Sequence, residues 1–489
     1  MTDFAPDDTA RPNLRLLSEK QIKTIHQATL RLLETSGVRV AHPDALDLLR
    51  QAGCLVQGEA RVLIPGWLVE QCIRSAPSSV TIYDRLGKPA MQLGERNSYY
   101  GMGTDLIRTQ DLYSGETRPS RLQDVVNAAR LADGCENIDF IGSFALPGDV
   151  PTNLMYLASF KAELESSTKP IFFTAAGKED LAYMTEMAAV VAGGNDALRE
   201  KPFLIHYSEP TSPLTHSYGA LSKLFLCAEQ GIPICYTPAA MLGGSAPVTL
   251  AGGLVQTNAE ALSGIVLHQL QSRGAPIICG MALPALDMRT SCISYSAPEA
   301  RLGHAACADL YHYYRLPVWS TTGSDAHTFD GQAMAEHALC LLMASLEGSN
   351  LIHDVGYLGQ GLLGNPAMLV MCDELISYVK RLMRGFEINA EAIGLESIVQ
   401  AGPGGNYLTD KRTLQNFRKE LWQPDLFNRD NPQAWTKKGG KSQQERVIQR
   451  AIQLLETHPV EPLPEEIAAR LAKIAMEAET RLAGIQFVA

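Results

Sequence analysis

From Tyr99 onward one unit recurs eight times: a short apolar or Gly-rich run, a loop with polar residues or Pro, then an amphipathic stretch of helix length. The runs are "YYGMGT" from Tyr99, "DFIGSFAL" from Asp139, "PIFFTAAG" from Pro170, "PFLIHYSEP" from Pro202, "PICYTPAAMLG" from Pro233, "PIICGMAL" from Pro276, "PVWSTTGSDA" from Pro317 and "NLIHDVGYLG" from Asn350. Five of the eight are opened by Pro, where a strand can spare an N–H. Their apolar residues are continuous rather than alternating, the pattern of strands buried on both faces. Between them, "SRLQDVVNAARLA" opens on Ser120 as an N-cap, "KEDLAYMTEMAAVVAGG" closes on Gly193 and Gly194, and "QAMAEHALCLLMASLEGS" closes on Gly348. Eight strand–helix alternations predict an α/β chain folded as a (β/α)8 TIM barrel. An open doubly wound sheet is the competing arrangement, but no G-x-G-x-x-G is read as following a strand into a helix to favour it.

The barrel is expected over residues 99–365. Residues 1–98 hold two amphipathic helices, around Ser18 to Ser36 and His42 to Gly53, and a compact piece containing "VLIPGWLVEQCIRSAP". Residues 366–489 are mainly helical, broken by "GPGG" at Gly402 and by "WQPDLFNRDNPQAW". Both flanks read as caps on the barrel, with "TKKGGKSQQER" an exposed loop before a final charged helix.

With 489 residues, 46% of them hydrophobic, the chain can bury a large core without staples. Its 42 basic and 53 acidic residues leave a net charge of −11 and no basic tract, which argues against a nucleic-acid or anionic-membrane partner. The start "MTDFAPDDTARPN" has no signal-peptide pattern and no apolar run approaches the ~20 residues of a membrane span, so a cytoplasmic protein is expected. Ten cysteines without a C-x-x-C pair read as buried reduced thiols.

In such a barrel the chemistry lies where strands end and βα loops begin. The candidates there are Tyr99 and Tyr100, Phe144, Phe172 and Phe173, His206, Tyr207 and Glu209, Tyr236, Trp319, Asp325, His327 and Phe329, then His353, Asp354 and Tyr357. Some of these rings must fill the layer beneath the helices. A mouth that keeps a few of them beside carboxylates suits a bulky organic cation, attracted to ring faces. His206, Asp325, His327 and His353 could instead ligate a metal, as in a lyase or hydrolase, although no H-x-H follows the first strand and no H-E-x-x-H occurs. No G-x-S-x-G elbow is present and no lysine closes a strand, so neither an acyl-enzyme nor a Schiff base is indicated. The Gly-rich Met241 to Gly253 lacks the Lys-Ser/Thr of a phosphate loop and reads as an open floor or a tight turn. Lone His26, His268 and His337 fall on expected helices and read as structural.

The ordered set "GSFALPGDVP", "KPIFFTAAG", "KPFLIHYSEPTSPLTHS", "GIPICYTPAAMLGGSAPVTLAGGLVQTNAEALSGIVLHQL", "APIICGMALPALDMRT" and "WSTTGSDAHTFDGQAMAE" resembles the trimethylamine methyltransferase superfamily, from about Leu14 to the C-terminal helices. The resemblance implies a (β/α)8 barrel with added helical segments. It also implies transfer of a methyl group from a methylated amine to the Co(I) form of a corrinoid (cobalamin) held on a separate small protein. The archaeal trimethylamine enzyme carries pyrrolysine near the end of a late strand; here the matching stretch, Ser324 to Gln332, has only ordinary residues. Members without pyrrolysine resemble glycine betaine, proline betaine and carnitine demethylases, so the implied substrate is a quaternary amine, the implied partner a cognate corrinoid protein, and the implied assembly a homo-oligomer.

Displacement of a methyl from a quaternary ammonium releases a neutral amine that keeps its own lone pair, so no proton need be delivered. Asp325 and His327 are then expected to orient the substrate rather than act as acid, base or metal ligands. Tyr99, Tyr100, Phe144, His206, Tyr207, Glu209, Trp319, Phe329, His353, Asp354 and Tyr357 are the expected binding residues, and Gly243, Gly244 and Ser245 the corrinoid-facing ones. A substrate carboxylate would need a donor such as His206, His353, Arg289 or Arg301. No tightly bound metal is expected. A metal-dependent lyase or hydrolase and an osmolyte-binding module without turnover remain the alternatives.

Overall fold

The structure, a computed structural model, describes residues 9–484. All eight runs place an extended segment, and the segments pair in parallel in sequence order. Strands Ile171–Phe173, Leu204–Ser208, Ile234–Tyr236 and Ile277–Ile278 form one parallel sheet; Trp319–Thr321, Leu351–His353 and Tyr99–Tyr100 form another. Single parallel bridges link the two: Gly101 to Phe140, Ile141 to Ile171, and Cys279 to Val318. The Pro residues that open five runs lie where predicted, just before each strand, so their carbonyls are used and their missing N–H is not needed.

Alternate residues separate two layers. One inner cluster takes a residue from each of the eight segments: Tyr99, Phe140, Phe172, Ile205, Cys235, Ile278, Trp319 and Leu351. A hairpin, Val80–Tyr83 with Pro89–Leu93, drives Val80, Ile82, Met91 and Leu93 into the same cluster. Because those residues meet the early positions of the strands, the hairpin seals the N-terminal end of the segments. The outer residues, such as Tyr100, Ile141, Phe173, Leu204 and Val318, join the larger cluster beneath the helices.

The helix Leu250–Gln271 buries residues almost all round. The N-terminal helices Glu19–Thr35 and Gly66–Ser75 pack on its outer side, which explains its lack of a polar face. At the other flank, Gln443–Thr457 packs on Pro366–Arg384, and Glu465–Leu482 on Lys178–Ala192. Two local expectations change. Ser120 is not the cap of Leu122–Asp133: its hydroxyl is buried against Thr109 and the Leu106 carbonyl, and Arg121 takes the cap position with Asp124 accepting from its N–H at 2.8 Å. "TKKGGKSQQER" is not all loop either, because Ser442 and Glu445 form a capping box that starts Gln443–Thr457, the first of two final helices. Gly359–Gly364, G-Q-G-L-L-G, has dinucleotide spacing, but Tyr357–Leu358 pairs antiparallel with Leu363–Gly364 and makes it a hairpin turn. Among the described residues no helix is long and apolar enough to cross a membrane.

Candidate active-site cavity

A cavity of about 260 Å³ opens at the C-terminal ends of the parallel segments. The inward side of the alternation supplies Tyr207 and Glu209, Trp319 and Thr321, and His353; Thr104, Asp105, Asp354 and Tyr357 follow from the loops just beyond. The long connection after Ile277–Ile278 closes one side with Ile293, Tyr295, Arg301 and His304. Rings face one another across it. Tyr207 stacks on Trp319 with centroids 6.1 Å apart, and His353 lies 5.1 Å from Trp319 and 5.5 Å from Tyr207.

Three carboxyl groups share this space. Burial pushes all three up the pH scale: Asp105, Glu209 and Asp354, the last to about 8, with the Glu209 and Asp105 charges adding to its shift. Each is hydrogen-bonded: the Tyr207 hydroxyl donates to Glu209, Thr321 Oγ1 to Asp354, and Thr174 Oγ1 to Asp105 at 2.9 Å. Glu209 is enclosed by protein yet keeps access to the water of the cavity. His353 Nε2 stands 3.2 Å from Asp354 Oδ1, but this is a contact and not an ion pair, because burial holds the imidazole down to about 3. The one guanidinium on the wall, Arg301, donates to the carbonyls of Thr321 (2.7 Å) and Tyr295 (3.2 Å). Three buried nitrogens on wall residues have no partner: Arg301 Nε, Trp319 Nε1 and His353 Nδ1.

Backbone strain gathers here too. Asp105 and Asp354 hold φ of 70° and 69°, a left-handed conformation that costs on the order of 1–2 kcal/mol outside glycine. Gly103 allows the tight approach between them, since a Cβ there would lie 2.1 Å from Asp354 Oδ1 and 2.5 Å from the Tyr357 hydroxyl.

Of the residues expected from sequence, Tyr207, Glu209, Trp319, His353, Asp354 and Tyr357 line the cavity. The others stand elsewhere. Tyr99 lies in the inner cluster, its hydroxyl accepting from the Gln92 N–H; Tyr100 turns outward to Ser345 on the helix Gly331–Glu347. Phe144 backs the Tyr357 ring edge-on at 6.0 Å. His206 and Phe173 face the outer layer together, and Tyr236 turns outward to His216. Phe172 packs below Tyr207. Phe329 is buried in the outer cluster, and His327 is exposed. Asp325 accepts from Ser294 Oγ and the Tyr295 N–H, so it clamps the loop that presents the Tyr295 ring. Arg289 is fully exposed and pairs with Asp287, which leaves Arg301 and His353 as the donors within reach. The four residues nominated as metal ligands therefore do not converge, and among the described residues no group of three or more His, Cys, Asp or Glu is placed to hold a metal ion.

Gly243, Gly244 and Ser245 form a tight turn outside the cavity wall. Ser245 Oγ accepts from the Met241 N–H, and the left-handed Gly243 lies against Met288, where a Cβ would come within 2.5 Å of the Met288 methyl. Met288 and Val248 leave an exposed apolar lip beside this turn. Sequence reasoning missed Asp105, one residue beyond "YYGMGT", and Tyr295, which sits in a long loop with no periodicity to mark it. It also missed Lys223. That residue lines a second compartment of about 330 Å³ sharing Asp105, Tyr207 and Glu209 with the first, and its ammonium donates to the Ala175 carbonyl at 2.8 Å.

The model of the trimethylamine methyltransferase family (MTTB) matches residues 5–480 of the chain. The chain is 32% identical over 467 residues to the trimethylamine methyltransferase MttB of Desulfitobacterium hafniense, covering 94% of this chain and 93% of that protein. It is likewise 32% identical over 465 residues to a glycine betaine methyltransferase of the same species, covering 94% and 96%. Among solved structures, the monomethylamine methyltransferase of Methanosarcina barkeri superposes with a TM-score of 0.53 at 11% identity, over 91% of this chain and 88% of that one, a likeness of fold.

Proposed function

The chain belongs to the trimethylamine methyltransferase family, and from that membership we propose that it moves a methyl group from a quaternary amine, glycine betaine or a related betaine, to the Co(I) corrinoid of a partner protein. The cavity carries this reading: the rings of Tyr207, Tyr295, Trp319 and Tyr357 stand with three carboxyl groups around about 260 Å³ of space, against one guanidinium. A quaternary ammonium spreads its charge over methyl groups that cannot donate hydrogen bonds, so ring faces and diffuse negative charge are what can hold it. Arg301 and His353, on the same wall, are the donors available to a carboxylate at the other end of the same molecule.

Bound to its partner protein, the corrinoid supplies the nucleophile that takes the methyl group. This chain has three tasks. It aligns one C–N bond toward the mouth, it keeps water out, and it limits how strongly the cation is held, because the positive charge disappears as the amine leaves. A protonated Asp354 serves the last task by withholding one negative charge at neutral pH. Gly243, Gly244 and Ser245, with the apolar lip of Met288 and Val248, offer the bare surface that a flat macrocycle could approach.

The fold we propose is a closed (β/α)8 barrel over residues 99–365, flanked by units 1–98 and 366–489. Its support is the run of parallel pairings that returns from Leu351–His353 to Tyr99–Tyr100. The ten unpaired cysteines, nine of them buried, suit a reducing compartment, and the cytoplasm is the proposed location. The test is methyl transfer to free reduced cobalamin across a panel of quaternary and tertiary amines, read by the absorbance of methylcobalamin. Turnover with at least one betaine is expected; turnover with trimethylamine and no quaternary amine would overturn the substrate class.

A further inference from the structure

The compartment beside the cavity has no task in the reaction as derived so far. It holds about 330 Å³, and Asp105, Tyr207 and Glu209 form the wall it shares with the first space. Lys223 lines its other side, from the helix Tyr218–Gln230, and Tyr156 and Ser217 add hydroxyl groups. An ammonium carries three N–H donors, and one withdrawn from water ordinarily meets a carboxylate. Among the described residues the Lys223 ammonium donates to the Ala175 carbonyl at 2.8 Å and forms no ion pair. The carboxyl groups whose charge it feels are each engaged by other donors. Asp180 accepts from the Ala176 and Gly177 N–H groups at 2.8 and 2.7 Å, Asp105 from Thr174 and Glu209 from Tyr207. Burial pushes the lysine below its ordinary range, and the charges of Asp180, Asp105 and Glu209 pull it back up. The result is an enclosed cation with donors to spare, facing open space.

We propose that this compartment is a carboxylate subsite, and that Lys223 selects quaternary amines whose carboxylate stands several carbons from the ammonium. The proposal rests on the reading of the cavity as a quaternary-amine site and names the kind of betaine that fits it best. Groups follow one another in the order such a zwitterion needs. The rings of Trp319, Tyr295 and Tyr357 face the methyl groups, Asp105 and Glu209 flank the passage on the shared wall, and Lys223 waits beyond. Arg301 and His353 line the first space alone, so they serve a carboxylate held close to its ammonium, as in glycine betaine. A quaternary amine without an anionic end gains nothing from Lys223 and is repelled by it. The lysine therefore discriminates twice, by attracting one class and disfavouring the other.

Calorimetric titration of the full chain with glycine betaine, its butanoate homologue and butyltrimethylammonium tests this. The parent is expected to bind the butanoate homologue about tenfold or more tighter than butyltrimethylammonium, which has the same chain length and no carboxylate. Lys223→Met keeps an unbranched side chain and removes the charge. It should weaken the butanoate homologue by about tenfold or more while butyltrimethylammonium binds as tightly as before or tighter, and Lys223→Arg should keep a preference for the homologue. A loss shared equally by both ligands in Lys223→Met would make Lys223 a neighbour that merely keeps Asp105 and Glu209 ionised, and would overturn the subsite. The comparison within the parent does not depend on how the variants fold: equal affinity for the homologue and butyltrimethylammonium, or binding of glycine betaine without the homologue, would overturn the subsite and leave the quaternary-amine site standing. A parent that binds none of the three would overturn both.

Discussion

The two ends of the parallel segments are built on opposite principles. At the N-terminal end, Val80, Ile82, Met91 and Leu93 fill the space with apolar side chains. At the C-terminal end, the same segments enclose three carboxyl groups, two left-handed aspartates and three partnerless nitrogens. Grouping unfavourable features at one end is tolerable because the other supplies packing without defects. The sealed end holds the segments in place, and the cavity end uses that rigidity to keep groups which, alone, would unfold or hydrate.

The largest effect should separate the ends by stability. Leu93→Ala empties a fully buried site and is expected to cost about 2–5 kcal/mol, read as a lower denaturation midpoint, with the substrate KM unchanged. Asp354→Asn should do the opposite. A carboxyl raised to about 8 in the fold and near 4 when unfolded is a source of stability that is complete below pH 4 and is lost as pH rises toward 8. Removing it should therefore leave the protein at pH 7.5 at least about 1 kcal/mol more stable than the parent while weakening cation binding. A Leu93→Ala variant that lost substrate affinity as much as stability would show that the ends are not separable.

Next in size is a contrast between two tyrosines that sequence alone could not tell apart. Both Tyr99 and Tyr357 belong to the recurring runs, but Tyr99 sits early on its strand, above the sealing hairpin, whereas Tyr357 lies beyond its strand on the cavity wall. A ring face against a desolvated cation contributes roughly 1–2 kcal/mol. Tyr357→Leu should raise the substrate Kd about tenfold or more, and Tyr99→Leu should leave it within twofold. Calorimetric titration with a quaternary amine decides it; equal losses would place the cation deeper than the cavity wall.

The same pair shows what could be read in advance. Strand count, strand order and several helix ends followed from Pro placement, continuous apolar runs and terminal glycines, because these are local. Which ring faces inward was not local: His206 and Tyr207 are neighbours in sequence and lie on opposite faces, fixed by the register of Leu204–Ser208 with its partner strands. Strand phase would have sorted Tyr99 from Tyr100 and Tyr207 from His206, had any anchor set it. Tyr295 could not have been found that way. Its position depends on the contact between its loop and Asp325, thirty residues downstream.

A smaller effect should appear in the pH dependence of binding. A cation is held more tightly beside the ionised carboxyl than beside the protonated one, so affinity should rise with pH as Asp354 ionises through about 8. The total gain is expected to be at most about tenfold, and kcat should fall over the same range as the cation becomes over-stabilised. In Asp354→Asn both trends should vanish. A parent whose affinity is flat from pH 6.5 to 8.5 would remove Asp354 from contact with the cation.

The smallest effects should come from the motif that looked most like catalytic machinery. Asp325 does not line the cavity; it holds Ser294 and Tyr295 in place, and His327 points into solvent. An asparagine at 325 can still accept from the Tyr295 N–H, so Asp325→Asn should raise KM only a few-fold, about 0.5–1 kcal/mol, by loosening one ring of the wall. His327→Gln should change less. Because the departing amine needs no proton, neither variant should create or abolish a pH limb in kcat, whereas a general acid or base would lose ~10²-fold or more in rate with binding preserved. Asp325→Ala, which also removes the acceptor, should raise KM further than Asp325→Asn while kcat stays within a few-fold. That ordering, with loss in affinity and none in ionisation, distinguishes a residue that positions Tyr295 from one that handles a proton. A parental pH limb that disappeared in either Asp325→Asn or His327→Gln would return this motif to acid–base chemistry and refute the proton-free transfer.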